Sequence, residues 1–234
     1  RPGCRQRPPW DFDAEGARRQ LCQQFGVQDL SGFGEPAAVS VAAAGALFQY
    51  ARDTQRSSLP HVTGLTLEAF DDGVAMDAAT RRNLELTETL TGQEAPSLAW
   101  VLDSTETAMG SRLLKRWVHR PLRDRSVLGE RQDRIAALRD GWRFESARQV
   151  LDRIGDMERI LGRVALRSAR PRDLTRLHIS LSALPELHAA LPDDAVFRGL
   201  HDRLSDFPDK VALLERAVIE NPPMLIRDGG VIAP

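Results

Sequence analysis

The sequence has few of the residues that mark a disulfide-bonded, metal-binding or membrane-spanning protein. Cys4 and Cys22 are its two cysteines, too few for a disulfide scaffold and without the spacing of metal ligands. No stretch approaches the roughly 18–20 uninterrupted apolar residues of a membrane helix, and no signal-peptide pattern opens the chain. We therefore expect a protein of a reducing cytoplasm, with no contact to a membrane.

Lysine and β-branched residues are also scarce. Two of the 32 cationic residues are lysine, and Val, Ile and Thr together supply 31 of the 234 positions. Leu, Ala and Arg, which are strong helix formers, supply 88 positions. This composition argues against a mostly β protein and predicts a mainly α fold.

The net charge of −1 conceals an uneven distribution of charge along the chain. Residues 1–80 and 181–234 are acidic, whereas residues 81–180 carry 20 basic and 14 acidic side chains. The basic residues of 112–176 are compatible with non-specific binding to nucleic-acid phosphates. Arginine and glutamate alternating on solvated helix faces would explain the same excess, and this is the interpretation that we favour.

Apolar residues recur at alternating spacings of three and four in the second half of the chain, which is typical of a heptad seam between long helices. The pattern predicts a bundle of helices of roughly 20–25 residues each, with breaks at Pro185 and Pro208. The first seam comprises Val150, Ile154, Met157, Leu161 and Val164. The second runs from Leu174 to Leu191, and the third from Leu200 to Val218.

The first half of the chain predicts shorter elements. Residues 13–25 and 36–55 have helical patterns, and we place a domain boundary near residue 63. Beyond it, residues 65–77 predict a short β-hairpin with its turn at Asp71-Asp72-Gly73, and residues 224–232 predict a second hairpin.

The usual sequence motifs of catalytic and cofactor sites are missing. There is no GxxxxGK[ST] phosphate loop, no GxGxxG, no HExxH and no GxSxG. The five histidines (61, 119, 178, 188 and 201) stand alone in the sequence, and His188 on the second seam is best explained as a core histidine. We therefore expect no catalytic, cofactor or metal site in this chain.

Six segments carry a resemblance that covers nearly the whole chain. They are QFGVQDLSGFG at 24–34, MDAATRRNLEL at 76–86, MGSRLLKRWVHRPLRD at 109–124, RQDRIAAL at 131–138, DMERILGRVALRSARPRDL at 156–174 and PPMLIRDGGVIA at 222–233. In this order they resemble the MutS family of bacterial DNA mismatch-repair proteins. The resemblance implies that residues 1–63 are the C-terminal part of the connector domain, a helical remnant of an α/β fold. Residues 64–234 would then be the first part of the core, or lever, domain.

The resemblance also implies a division of labour within a longer protein. The family reads mismatches with an N-terminal domain, encircles DNA with a clamp and binds ATP and Mg in a C-terminal domain. A homodimer is expected, with MutL and mismatched DNA as partners. Because the chain starts at Arg1 without a methionine, we expect an excised piece that lacks these sites and serves as a structural and allosteric segment.

Ten residues of the resembling segments stand out as a structural signature: Gly110, Arg112, Trp117, Pro121, Asp124, Glu158, Arg159, Arg163, Pro171 and Asp173. The prolines and aspartates of this signature are residue types that favour the ends of helices. A glycine kept inside a helix, as Gly110 would be, suggests a neighbour packed against its backbone. Met109, Leu113 and Trp117 should form one apolar stripe of a core helix.

Overall fold

The computed structural model describes residues 6–34, 37–56, 58–67, 73–223 and 229–232. In these ranges the chain is mainly helical, as predicted, and its only β structure is two isolated bridges, Gly32 to Gly34 and Gly73 to Leu122. No helix in this part of the chain has the length and apolarity to cross a membrane. The α-helices are α1 Ala14–Phe25, α2 Ala38–Gln55, α3 Ala78–Asn83, α4 Leu98–Leu102, α5 Ala108–His119, α6 Arg125–Arg139, α7 Phe144–Arg153, α8 Met157–Ala165, α9 Pro171–Ser182, α10 Leu184–Ala190, α11 Arg198–His201 and α12 Pro208–Ala217.

The chain divides into two compact units, of which the first comprises residues 1–69 and 161–168. The helices α1 and α2 pack against each other in it, and they approach so closely that a Cβ on Gly45 would lie 2.3 Å from the Cβ of Ala17. Helix α1 begins where the Asp13 carboxylate accepts a hydrogen bond from the Gly16 amide, and it ends at Gly26 in the left-handed conformation. The core residues are Ala17, Leu21, Leu30, Val41, Phe48 and Leu59.

The second unit comprises residues 70–160 and 169–234. Its core joins α7 and the residue after it to α10, because buried apolar side chains from both meet there. Met109 of α5 and Met157 of α8 pack at the edge of this cluster. The buried members are Ala147, Val150, Ile154, Ala183, Leu184 and Leu187.

The prediction that the first heptad seam lies on one continuous helix is wrong. Helix α7 ends at Arg153, Ile154 is extended, and α8 begins at Met157. Asp156 starts the new helix, since its carboxylate accepts a hydrogen bond from the Arg159 amide at 3.2 Å. Val150 and Ile154 are buried as predicted, whereas Leu161 and Val164 are 53% and 41% exposed.

The other two seams are also divided into shorter helices. Pro185 lies in the first turn of α10 and Pro208 is the first residue of α12, so the predicted breaks at both prolines are confirmed. The predicted lengths are wrong, because the longest described helix of the second unit is α6 with 15 residues. Proline fits the first helical turn, where its missing N–H is not required.

Neither predicted hairpin is seen in the described residues. Residues 68–72 and 224–228, which would form much of each, lie outside them. The Val74 amide donates to the Pro121 carbonyl oxygen at 2.8 Å, beside the bridge of Gly73 to Leu122. The Ile219 amide donates to the Val231 carbonyl oxygen at 3.1 Å.

Candidate functional site

The signature residues Arg112 and Glu158 meet at an ion-pair cluster that also includes Asp156. The Arg112 guanidinium donates one hydrogen bond to each carboxylate oxygen of Asp156, both at 2.7 Å, and a third to Glu158 at 2.6 Å. Two parallel bonds between a guanidinium and a carboxylate fix the relative orientation of both groups. The cluster therefore attaches α5 to the turn at 154–156 and to the start of α8.

A second set of contacts holds the same turn from α9. The Ser180 hydroxyl accepts a hydrogen bond from the Gly155 amide at 2.9 Å and donates to the Arg176 carbonyl oxygen at 2.7 Å. Ser180 is completely buried. A Cβ on Gly155 would lie 2.5 Å from Cγ of Arg176, so the turn and α9 touch where only glycine fits without displacement. We call the residues Arg112, Gly155, Asp156, Glu158, Arg176 and Ser180 the turn junction.

The charges of the turn junction reinforce each other. Hydrogen bonds from Arg112 hold the pKa of Asp156 below its ordinary value, and the Arg159 amide lowers it further. Hydrogen bonds to Asp156 and Glu158 raise the pKa of Arg112. The pair of Arg112 and Asp156 is therefore ionised throughout the neutral pH range.

The structure places the remaining signature residues of 110–124 at other points of the second unit. Gly110 follows the cap residue Thr107, whose hydroxyl accepts from its amide at 3.0 Å, and a Cβ there would lie 3.2 Å from Cβ of Thr105. Asp124 caps α6. The predicted apolar stripe of α5 is wrong in part, because Leu113 and Trp117 are exposed.

The guanidinium carbon of Arg131 lies 3.7 Å from the Trp117 ring centroid, a cation–π contact between α5 and α6. Trp117 therefore lies at the surface between two helices and contacts α6 through this pair, outside the buried core.

The signature residues of 159–173 lie at the ends of α8 and α9. The Arg163 carbonyl oxygen accepts a hydrogen bond from the Ser168 amide at 2.9 Å, just after the end of α8. Pro171 is buried as the first residue of α9, and the Asp173 carboxylate accepts from the Arg170 amide at 2.9 Å. Pro171 and Asp173 therefore define the start of α9 through their side chains, whereas Arg163 contributes a backbone carbonyl that any residue would supply.

Four members of the turn junction were not singled out in the sequence, namely Gly155, Asp156, Arg176 and Ser180. Asp156 stands 44 positions from Arg112, and no sequence signal indicates that pairing. The one local signal for the turn is the pair of residue types Gly155-Asp156, a poor helix former followed by a good N-cap residue, just before an apolar helix. Ser180, which lies inside a helix, has no such signal.

Two of the five histidines that stand apart in the sequence come together in the structure. His188 and His201 meet with Nε2 and Nδ1 3.0 Å apart, and Nε2 of His201 lies 3.1 Å from the Pro192 carbonyl oxygen. The pair lies between α10 and α11. In the described ranges, no group of three or more His, Cys, Asp or Glu side chains is arranged to hold a metal ion.

Comparison with known families assigns both parts of the chain. Residues 79–234 match MutS domain III, which covers well over half of the chain. The chain belongs to the MutS family. Residues 1–63 match domain II of MutS, so the resemblance seen in the sequence is confirmed, and the turn junction lies within MutS domain III. The chain is therefore part of a DNA mismatch-repair protein, and the MutS family acts on mismatched DNA.

Proposed function

We propose that this chain is the structural and allosteric core segment of a DNA mismatch-repair ATPase. In this proposal residues 1–63 are the C-terminal part of the connector domain and residues 64–234 are the first part of the core, or lever, domain. The segment couples the nucleotide-binding domain, which takes ATP and Mg, to the DNA clamp and the mismatch-reading domain. It contains no catalytic site of its own.

The turn junction is the observation that supports this role most. Coupling between distant sites requires packed elements that keep discrete arrangements. The turn at 154–156 is attached to α5 by the Arg112 ion pairs and to α9 by the Ser180 hydroxyl. A displacement of α5 would therefore be transmitted to α8 and α9 through bonds of defined geometry.

Ion pairing of part of the basic residues weakens the alternative function, a non-specific nucleic-acid-binding module that uses residues 112–176. A phosphate-binding surface needs cations that are available to the phosphates. At least six of the 18 cations in this range form ion pairs with carboxylates, namely Arg112, Lys115, Arg134, Arg143, Arg148 and Arg153. We therefore expect weak DNA binding by the chain alone, without preference for a mismatch.

Arg112→Gln in the full-length protein tests the coupling role. The substitution removes the ion pairs of the turn junction without emptying a core. We expect nucleotide affinity to stay near that of the wild type, while ATP-induced release from mismatched DNA slows by about 2–30-fold, the range typical of mutations that alter coupling. Stopped-flow fluorescence of labelled mismatched DNA measures the release, and a fluorescent nucleotide measures the affinity.

Arg143→Gln is the matched control. Its guanidinium pairs with Asp140, three residues away on an exposed surface, and such local pairs contribute little. Release at the wild-type rate in the Arg112 variant would contradict the proposal, and so would equal slowing in the control.

The proposal also covers partners and location. The full-length protein would act as a homodimer in the bacterial cytoplasm, on mismatched DNA and with MutL bound through the connector. The chain by itself should not hydrolyse ATP, and release of inorganic phosphate from ATP above the background rate would contradict that.

A further inference from the structure

A recess of about 370 Å³ lies between α3, the loop at 84–92 and the end of α5, away from the residues of the turn junction. Its volume is within the range of small-molecule sites. The lining includes Arg81 and Arg82 from the last turn of α3, Thr87 and Thr89 from the loop, and His119 from α5. All of them belong to the second unit.

The two arginines of the recess have no partner within the described part of the chain. Neither Arg81 nor Arg82 forms a hydrogen bond or an ion pair there with its side chain, and both residues are exposed. The Glu88 carboxylate, which also lines the recess, is exposed and pairs with neither of them. The recess therefore presents two unneutralised guanidinium groups against one carboxylate.

The remaining polar groups of the recess are held in place. His119 Nε2 lies 2.9 Å from the Thr87 hydroxyl, which leaves its Nδ1 without a partner among the described residues. The Thr89 hydroxyl accepts a hydrogen bond from the Gln93 amide at 3.1 Å. The loop that carries both threonines is braced where the Glu85 carboxylate accepts from the Leu90 amide at 2.6 Å.

We propose that this recess binds a phosphate group, either as inorganic phosphate or as the phosphate of a nucleoside monophosphate. Guanidinium groups donate two parallel hydrogen bonds to phosphate oxygens, and hydroxyl groups add further donors. Phosphate is chiefly a hydrogen-bond acceptor, through its negatively charged oxygens, which matches a recess dominated by donors. The inference does not depend on the proposed coupling role, because it concerns other residues.

Titration of the 234-residue chain with sodium phosphate at constant ionic strength tests the inference, with the imidazole resonances of His119 as the readout. We expect a saturable shift of these resonances. The Arg81→Gln/Arg82→Gln variant should bind phosphate about tenfold more weakly or worse, because each lost charge-assisted hydrogen bond has an effect of this order. A parallel titration with a nucleoside 5′-monophosphate distinguishes the two sources, since tighter binding than inorganic phosphate assigns the site to a nucleotide.

The matched control is Arg125→Gln/Arg139→Gln, which removes two exposed arginines of α6 and the same net charge. This variant should bind phosphate like the wild type. Circular dichroism verifies that both variants are folded, and Arg82→Lys, which keeps the charge but not the fork, should bind with intermediate affinity. A shift that does not saturate, or equal weakening in both double variants, would overturn the inference, as would a response to duplex DNA alone.

Discussion

Truncation of Ile154 should destabilise the second unit far more than the same truncation at an exposed site. Ile154 is 4% exposed and packs between α7 and α10. Replacing it by alanine removes three carbon groups, a loss of about 2.4 kcal/mol of transfer free energy at ~0.8 kcal/mol each. The cavity left behind raises the expected loss of unfolding free energy to about 3–4 kcal/mol.

Ile135→Ala is the matched control, since it makes the same chemical change in the same unit. Ile135 on α6 is 55% exposed, so the transfer loss is about 1 kcal/mol, and no closed cavity forms. Alanine also favours the helix by about 0.4 kcal/mol. The expected net loss is about 0.5–1 kcal/mol.

Urea denaturation of both variants, followed by far-ultraviolet circular dichroism, measures the difference. Because the chain has two compact units, the transition of the second unit should move and that of the first should not. We expect the midpoint for Ile154→Ala to fall several times further than that for Ile135→Ala. Equal midpoint shifts would refute the assignment of the core to this interface.

Three further predictions concern the turn junction. Gly155→Ala should destabilise the chain by about 1–3 kcal/mol, because the new Cβ overlaps the Arg176 side chain. Gly129→Ala, in open space within α6, should stabilise it by about 0.5–1 kcal/mol. A change of unfolding free energy with the same sign in both variants would contradict this prediction. Ser180→Ala should lower the unfolding free energy by about 1–3 kcal/mol, since it leaves the Gly155 amide buried and unpaired; an unchanged urea midpoint would show that the bond contributes nothing. The Asp156 pKa is held below 3.8 in the folded chain, so the stability that this carboxylate contributes is present above that pH and is lost as the pH falls through the folded-state pKa. Asp156→Asn should therefore lose less unfolding free energy than the wild type between about pH 5 and pH 2. Equal losses of both proteins in acid titrations would contradict the pairing with Arg112.

Helix ends were predictable from the sequence where their chemistry is local. Asp124, Pro185 and Pro208 act within one turn of their own position, and each marks the helix end that the sequence predicts. The mainly α fold likewise follows from composition and periodicity. Neither inference requires knowledge of distant residues.

Helix lengths and the turn junction were not predictable in the same way. The apolar spacing of three and four continues through Gly155-Asp156, so periodicity alone cannot reveal that the Asp156 cap interrupts it. Leu161 keeps the heptad spacing although it is exposed. The partner of Asp156 is set by tertiary packing, because any of many arginines has suitable chemistry and only the fold selects Arg112. The pairing of His188 with His201 has the same origin.

A double-mutant cycle in the full-length protein tests the central claim most directly. The quantity measured is the dissociation rate from mismatched DNA with ATP divided by the rate without it, for the wild type, Arg112→Gln, Asp156→Asn and the double variant. If the ion pair of the turn junction transmits the nucleotide signal as a unit, each single variant should lower this ratio and the double variant should lower it no further. A ratio unchanged from the wild type in all three variants, or losses that simply add in the double variant, would contradict the account.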